Sequence, residues 1–453
     1  MTDRSPQYVV AVVGGATAGA EAAGLLAARG ITTVVFEQNP RPYGKIEDGL
    51  PRWHVKVRKK EYETINARLA RPGVHFVPNT KIGRDIDFAE LAKGWGFSAV
   101  VLANGAWRDR PFPIDGADQY VGKGLVYQNP FIHWFNHFTE RDYRGPQYEI
   151  IDGTIVVGGG LASIDVMKVL QLEGVRRALA ERGIDEDLKK LEAEGVPAVL
   201  GEHGLSWEKL GLAGATLFYR RRIEDMPLAE IPEGADPARI QKCEATRHKI
   251  LKKAMQKYCF AVSPLRQAVG LLVEGGRLVG LRFQRTRVEG GKAIPVDGAI
   301  EDVHAPLVVS SIGSVPEPMR GIPMKDVVYQ WADEQLGRLA GYETVFSVGN
   351  VLTGKGNIIA SRRHSASVSA HVIEQFLGVG NGKHREEEAV FAAATAAVGA
   401  QASRIADHVT GGKPLEPTLA DAIMAKVRAR QEAVGYTCSY REWLERVTPP
   451  DLA

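Results

Sequence analysis

The stretch "YVVAVVGGATAGAEAAGLLAARGITTVVFE", residues 8–37, reads as a buried strand from Tyr8 to Val13, a glycine-rich turn, a helix of small and apolar residues, and a second strand, Thr32 to Phe36, that ends in Glu37. Strand, turn, helix, strand and acid in this order form a dinucleotide fingerprint. Gly14 makes the tight turn, a small second residue lets backbone N–H groups approach a pyrophosphate, and Gly19 lets the helix lie close to the strand. Read as G-x-G-x-x-G, the middle place holds Ala16, with Gly15 beside it to relieve the turn and Ala18 on the phosphate side of the helix start. Glu37, 23 residues after Gly14, is placed to accept hydrogen bonds from an adenosine ribose.

A second copy begins at Thr154 to Val157, followed by "GGGLASIDVMKVLQ", with Gly158, Gly160 and Ser163 in the fingerprint places and Leu161 and Ala162 opening the helix. Two such units imply two dinucleotides. The next strand is delayed by roughly forty residues, which include "IDEDLKKLEAEG", a helix with Asp185 as its cap and Gly195 as its stop. That strand, "ATLFY", ends in three arginines rather than an acid. An acid would receive the ribose hydroxyl of NAD, whereas the guanidinium fork suits a 2′-phosphate. Arg220 and Arg221 are therefore assigned to NADP(H), with Arg222 facing solvent or a carboxylate such as Glu224.

Composition limits the other classes. The chain has 453 residues, enough for two or three domains, with 25% charged residues and a formal charge of only +3, so no bulk field for nucleic acid is indicated. No apolar run reaches membrane-spanning length and "MTDRSPQY" lacks the pattern of a signal peptide, so no membrane association and a cytoplasmic location are expected. Cys243, Cys259 and Cys438 form no C-x-x-C, which removes a zinc ribbon and a redox dithiol; no metal is expected.

An acid after the first strand, with a second nucleotide unit nested later in the chain, resembles the two-dinucleotide-binding-domain flavoproteins, in which the first site holds FAD. "FSAVVLANGAWRDRPFPIDG", with Asn104 and Gly105, is similar to the exit from their flavin domain, and "APLVVSSIGSVPEP" to the exit from their NADP domain. "YETVFSVGNVLTGKGNIIAS" is similar to their late flavin motif and implies a discontinuous FAD domain, with Gly349, Asn350, Gly356, Asn357 and Ile358 at the cofactor. Within that group the chain resembles the adrenodoxin-reductase-like ferredoxin–NADP reductases. "GLPRWHVKV" then places His54 beside the flavin as a proton relay or electrostatic tuner, and "VGYTCSYREWLERV" matches their C-terminal segment through Trp443. "YRRRIEDMP" is closer to the small subunit of glutamate synthase, which normally carries a cysteine-rich iron–sulfur module that this sequence does not show.

The resemblance implies an α/β protein of two Rossmann-like domains in the manner of glutathione reductase, with an FAD domain over 1–113 and 336–384, an NADP domain over 114–335 with a helical insertion at 173–213, and a helical extension over 385–453. It implies hydride transfer between nicotinamide C4 and flavin N5, then release of electrons one at a time to a carrier. An acid near the nicotinamide is expected at Glu233 or Glu230. The basic run Arg52, Lys56, Arg58, Lys59 and Lys60 reads either as a docking face for an acidic ferredoxin or flavodoxin or as a solvated strand and helix start. A flavin monooxygenase linker motif is not seen, and a glutathione-reductase-like enzyme needs its dithiol. A glutamate-synthase-type subunit and a non-enzymatic redox sensor stay open. So do three roles for the C-terminal helices: clamping the first domain, covering the NADP cleft, or making a dimer.

Overall fold

The computed structural model describes residues 7–228, 231, 234–353, 378–379 and 387–449. The first unit runs β1 (Val9–Val13), α1 (Thr17–Ala28), β2 (Thr32–Phe36), α2 (Lys45–Asp48), α3 (Val55–Leu69), β3 (Val74–Val77) and β4 (Ala99–Leu102). β1 is apolar at every position because it lies inside a parallel sheet with both faces covered. Val10 and Val12 pack with Ala20, Ala22, Ala23 and Leu26 of α1, while Val9, Ala11 and Val13 face a separate core with Val34 and Phe36. The strand order is Val345–Ser347, then β4, β1, β2 and β3, all parallel, so the sheet takes its edge strand from far along the chain. The first sheet is thus built from two stretches of chain separated by the whole of the second unit.

β5 (Arg108–Asp109) leaves this sheet and pairs antiparallel with Ser314–Val315, the exit of the second unit. The second sheet has order β6 (Leu125–Tyr127), β13 (Val308–Ser311), β7 (Ile155–Gly158), β8 (Thr216–Tyr219) and β9 (Ala261–Pro264). The helices α4 (Gln128–His137) and α5 (Leu161–Ala180) follow β6 and β7. Between α5 and β8 come α6 (Leu188–Glu194), α7 (Val196–Glu202) and α8 (Trp207–Leu210). The expected cap Asp185 is displaced by Asp187, which sits immediately before the first helical residue and accepts the Lys189 N–H at 2.9 Å. Gly195, with φ of +95°, does end that helix.

One layer has no counterpart in the sequence reading. After α9 (Pro237–Tyr258), the strands β10 (Arg266–Glu274), β11 (Arg277–Glu289) and β12 (Lys292–His304) form an antiparallel sheet. It is tied to the second unit by Phe283, whose ring stacks on Phe218 of β8 at 4.2 Å.

The C-terminal helices clamp the first unit. From helix Glu387–Thr410, Val398, Ala402, Ile405 and Ala406 join the α1 face of its core, and from Pro417–Ala433, Ala420, Ile423 and Val427 join the opposite face. In helix Tyr440–Val447, Trp443 donates through Nε1 to the Pro40 carbonyl at 2.8 Å and Tyr440 donates to Asn66 Oδ1 at 2.8 Å.

Candidate functional site

Both fingerprint turns require their glycines by contact. A Cβ on Gly14 would stand 2.7 Å from the Ala103 carbonyl oxygen, and one on Gly19 1.8 Å from the Gly14 oxygen. On the second unit, a Cβ on Gly158 would meet Ser163 Oγ at 2.3 Å and the Ser311 oxygen at 2.4 Å. Ser163 Oγ instead donates to that Ser311 carbonyl at 3.0 Å, pinning α5 to the end of β13. α1 starts after Ala16 and α5 after Gly160, and neither helix has a side-chain cap or an acid in its first turn. Their leading N–H groups and positive dipole ends therefore favour an anion. The methyl of Ala16 is accommodated opposite Gly44, which has φ of +49° and no Cβ to meet it. Gly349, at φ of +73°, lies over Ala18, and with Asn350 it lines the cleft at the start of α1. Leu161 is buried in the core and does not line the second cleft, whereas Ala162 does.

Glu37 is buried and fixed by two backbone donors, Gly15 N–H to Oε2 at 2.7 Å and Asn39 N–H to Oε1 at 2.9 Å. Burial pushes its carboxyl up to about 7 against those hydrogen bonds. The groove it lines holds Gly14, Ala16, Asn104 and Trp107, and continues past Gly105 to Asn350. Asn104 donates through Nδ2 to Tyr329 OH at 3.1 Å, and its Oδ1 is buried with no protein partner among the described residues. Uncapped helix start, fixed carboxylate and an unpaired buried acceptor fit an extended dinucleotide with a polar ring system.

The second unit carries a separate cleft of about 570 Å³, lined by Gly158, Gly160, Tyr219, Arg220, Arg221 and Ser314 among others. Arg222 turns away to pair with Asp225 through Nε and Nη2, both at 3.1 Å, rather than with Glu224, which is taken by His248. Arg221 is steadied by the Tyr219 hydroxyl at 3.1 Å, while Arg220 is exposed and its side chain makes no hydrogen bond or ion pair among the described residues. Arg110 and Arg266 line the same cleft and had no signal in the sequence beyond their charge.

The two clefts meet at Lys45. This residue lines the first cleft, and its Nζ donates to Ser314 Oγ, which lines the second, and to Asn129 Oδ1, each at 3.1 Å. Asn129 closes the junction by donating to Ser314 Oγ at 2.9 Å and to the Trp107 carbonyl at 3.1 Å. Burial lowers Lys45 to about 8 against the opposing charge of Asp109, and burial raises Asp109 to about 6. A lone lysine in "PYGKIEDGL" carries no spacing pattern, which is why sequence reasoning passed over it.

His54 is buried with Nε2 3.6 Å from Asp165 Oδ1 of α5 and lines neither cleft. In the basic run, Lys56, Lys59 and Lys60 are exposed on one face of α3. Arg58, expected on that surface, is instead buried, because its guanidinium donates to the Glu47 carbonyl at 3.2 Å and to Tyr62 OH at 3.1 Å. Arg52 is half-buried under Phe135 and Phe138 and pairs with Glu173 at 3.5 Å. Glu230, Glu233, Gly356, Asn357 and Ile358 lie outside the described residues.

Against this geometry, Mycobacterium tuberculosis FprA in complex with NADPH superposes with a TM-score of 0.63 over 94% of this chain and 91% of its own, at 19% identity. The chain shares with that protein a fold of two parallel-sheet α/β units. Among curated sequences, the chain is 30% identical over 165 residues to cindoxin reductase of Citrobacter braakii, covering 36% of this chain and 34% of the relative. It is 33% identical over 159 residues to the glutamate synthase [NADPH] small chain of Bacillus subtilis, covering 34% and 31%. The chain thus spans about a third of the length of these curated relatives. They carry the resemblance that the motifs point to. No protein-family model matches the sequence. Among the described residues no helix is long and apolar enough to cross a membrane.

Proposed function

We propose that the chain binds FAD in the first unit and NADP(H) in the second and moves electrons between NADPH and a one-electron carrier, as an oxidoreductase of the ferredoxin–NADP⁺ reductase type. The observation that supports this most is the junction: Ser314 of the NADP-side cleft is one hydrogen bond from Lys45 of the flavin-side cleft. Bound FAD supplies the exchange between two-electron hydride chemistry with the nicotinamide and single-electron release.

The chain's own residues bind and orient. Glu37 receives the ribose hydroxyls of the flavin dinucleotide, and the start of α1 meets its pyrophosphate. The start of α5 does the same for the second dinucleotide, with Arg220 and Arg221 on the 2′-phosphate. Lys45, Asn129 and Ser314 hold the polar junction between the two clefts and would keep a flavin in one and a nicotinamide in the other close and oriented, so that proximity would carry the rate.

The proposed carrier is an acidic ferredoxin or flavodoxin docking on the Lys56, Lys59 and Lys60 face of α3, in a cytoplasmic setting. The proposed domain limits are 1–113 with 336–384 for FAD, 114–335 for NADP(H) and 385–453 for the extension. The relatives named glutamate synthase small chain favour a second reading, an NADPH-oxidising subunit that hands electrons to a large subunit. NADPH-driven cytochrome c reduction by the purified full chain separates the two. The first reading expects turnover that rises with added ferredoxin; activity only in the presence of a large subunit would replace it with the second.

A further inference from the structure

A side-chain cluster outside both clefts joins α2 to α4. His133 and His137 are four residues apart on α4, one helical turn, so both imidazoles project from one face. Their ring centroids lie 4.6 Å apart. Both turn Nε2 toward the same atom, Oδ1 of Asp48 at the end of α2, at 3.1 Å from His137 and 4.0 Å from His133. His137 Nδ1 faces Glu140 Oε1 at 2.7 Å.

We infer that Asp48, His133 and His137 form a binding site for a divalent transition-metal ion of the zinc class. Tetrahedral zinc with bonds of about 2.0–2.1 Å sets its ligand atoms about 3.3 Å apart, and the two separations to Asp48 bracket that value. At 4.0 Å His133 Nε2 is too far from Asp48 Oδ1 for a hydrogen bond, and a cation between them would bring both imidazoles and the carboxylate into one coordination shell. The donor set of two imidazoles and a carboxylate suits zinc, and leaves a fourth position toward solvent on the side of His133, which is 45% exposed. Glu140 is the positioning residue: accepting the Nδ1 proton of His137 directs the Nε2 lone pair into the site.

The scaffold is already assembled. Asn136, between the two histidines in sequence, donates through Nδ2 to the Glu47 carbonyl at 2.9 Å and the Leu50 carbonyl at 3.0 Å, which fixes α4 against the end of α2. An ion here would fasten the first unit to the start of the second, one helical turn from Lys45. Neither FAD nor NADP(H) is needed for it to bind, so the inference stands apart from the proposed reaction.

The test is a zinc titration of the full-length chain, stripped with a chelator and read by competition with a fluorescent zinc indicator, alongside thermal unfolding with and without zinc. The expected result is one ion per chain with a Kd on the order of micromolar or tighter and a raised Tm. His133→Ala, which removes a half-exposed side chain, and Asp48→Asn should each weaken binding about 100-fold and abolish the Tm rise. Glu140→Gln should weaken it roughly 10-fold. Unchanged affinity in His133→Ala, or no zinc uptake by the wild-type chain, would overturn the assignment and return the cluster to an ion pair of His137 with its two carboxylates.

Discussion

Replacing Arg220 and Arg221 together by alanine removes the feature that separates NADPH from NADH in this account. Arg220 has no side-chain partner to lose among the described residues, and Arg221 gives up hydrogen bonds to Tyr219 OH at 3.1 Å and to the Gly291 carbonyl at 3.4 Å and a contact over the Tyr219 ring at 5.8 Å, all at the rim of an open cleft, so the fold should tolerate the change. A charge-assisted hydrogen bond contributes about 1.5–3 kcal/mol. Both groups border an open cleft, so the lower figure applies, and the pair is worth about 3 kcal/mol toward the 2′-phosphate. At about 1.4 kcal/mol per tenfold, kcat/KM for NADPH should fall roughly 150-fold. NADH, which lacks that phosphate, should lose less than about threefold. The assay is steady-state reduction of ferricyanide with each cofactor in turn, the variant compared with the wild type. Equal losses for the two cofactors would refute the 2′-phosphate assignment and leave these arginines as solvated surface.

Three further outcomes are expected. Glu37 has its folded value raised from 4.5 to about 7, so its proton is retained longer in the cofactor-free folded chain than in the unfolded one; that contribution is full below about 4.5 and lost as pH rises through about 7. Urea unfolding at pH 5 and pH 8 should show a decline of which about 2–3 kcal/mol is removed by Glu37→Gln, the remainder coming from Glu47 and Asp109, whose carboxyls burial raises to about 7 and about 6, and a slope unchanged by the substitution would contradict the burial argument. Gly19→Ala places a methyl where a Cβ stands 1.8 Å from the Gly14 oxygen, so unfolding measurements should show a loss of about 1–3 kcal/mol and weaker FAD retention; wild-type values for both would mean that the turn can shift freely. Reversing Lys56, Lys59 and Lys60 to glutamate should slow ferredoxin-dependent cytochrome c reduction at least about tenfold at low salt while sparing ferricyanide reduction, and loss of both activities would point away from a docking face.

The parts of the molecule legible in sequence are those where a backbone constraint and a side-chain pattern coincide. Gly14, Gly19, Gly158 and Gly160 sit where a strand turns into a helix, and there spacing alone places the residues. The arginines after β8 stand out in sequence because they follow a second fingerprint unit, and Arg220 and Arg221 line the second cleft. Arg58 was not: in a run of basic residues nothing in the sequence marks the one that turns inward to the Glu47 carbonyl and Tyr62. Lys45, Asn129 and Ser314 come together from three distant segments, and their meeting depends on how the ribbon of β5 with Ser314–Val315 joins the two exits. The antiparallel sheet of β10 to β12 escaped notice because its strands are long, charged on one face and without a motif, so the alternation in "RLVGLRFQRTRVE" had no fingerprint to anchor it. The role of the C-terminal helices was open in sequence because an apolar stripe gives no partner; contacts with α1 and with Pro40 and Asn66 supply it.

The central claim, two dinucleotides meeting at the Lys45 junction, is tested most directly by the absorbance spectrum of the purified full chain, supplied with FAD and then mixed with NADPH or NADH without oxygen. A protein-bound flavin band that bleaches much faster with NADPH than with NADH is expected. A chain that holds no flavin, or a bound flavin that NADPH leaves oxidised, would contradict it.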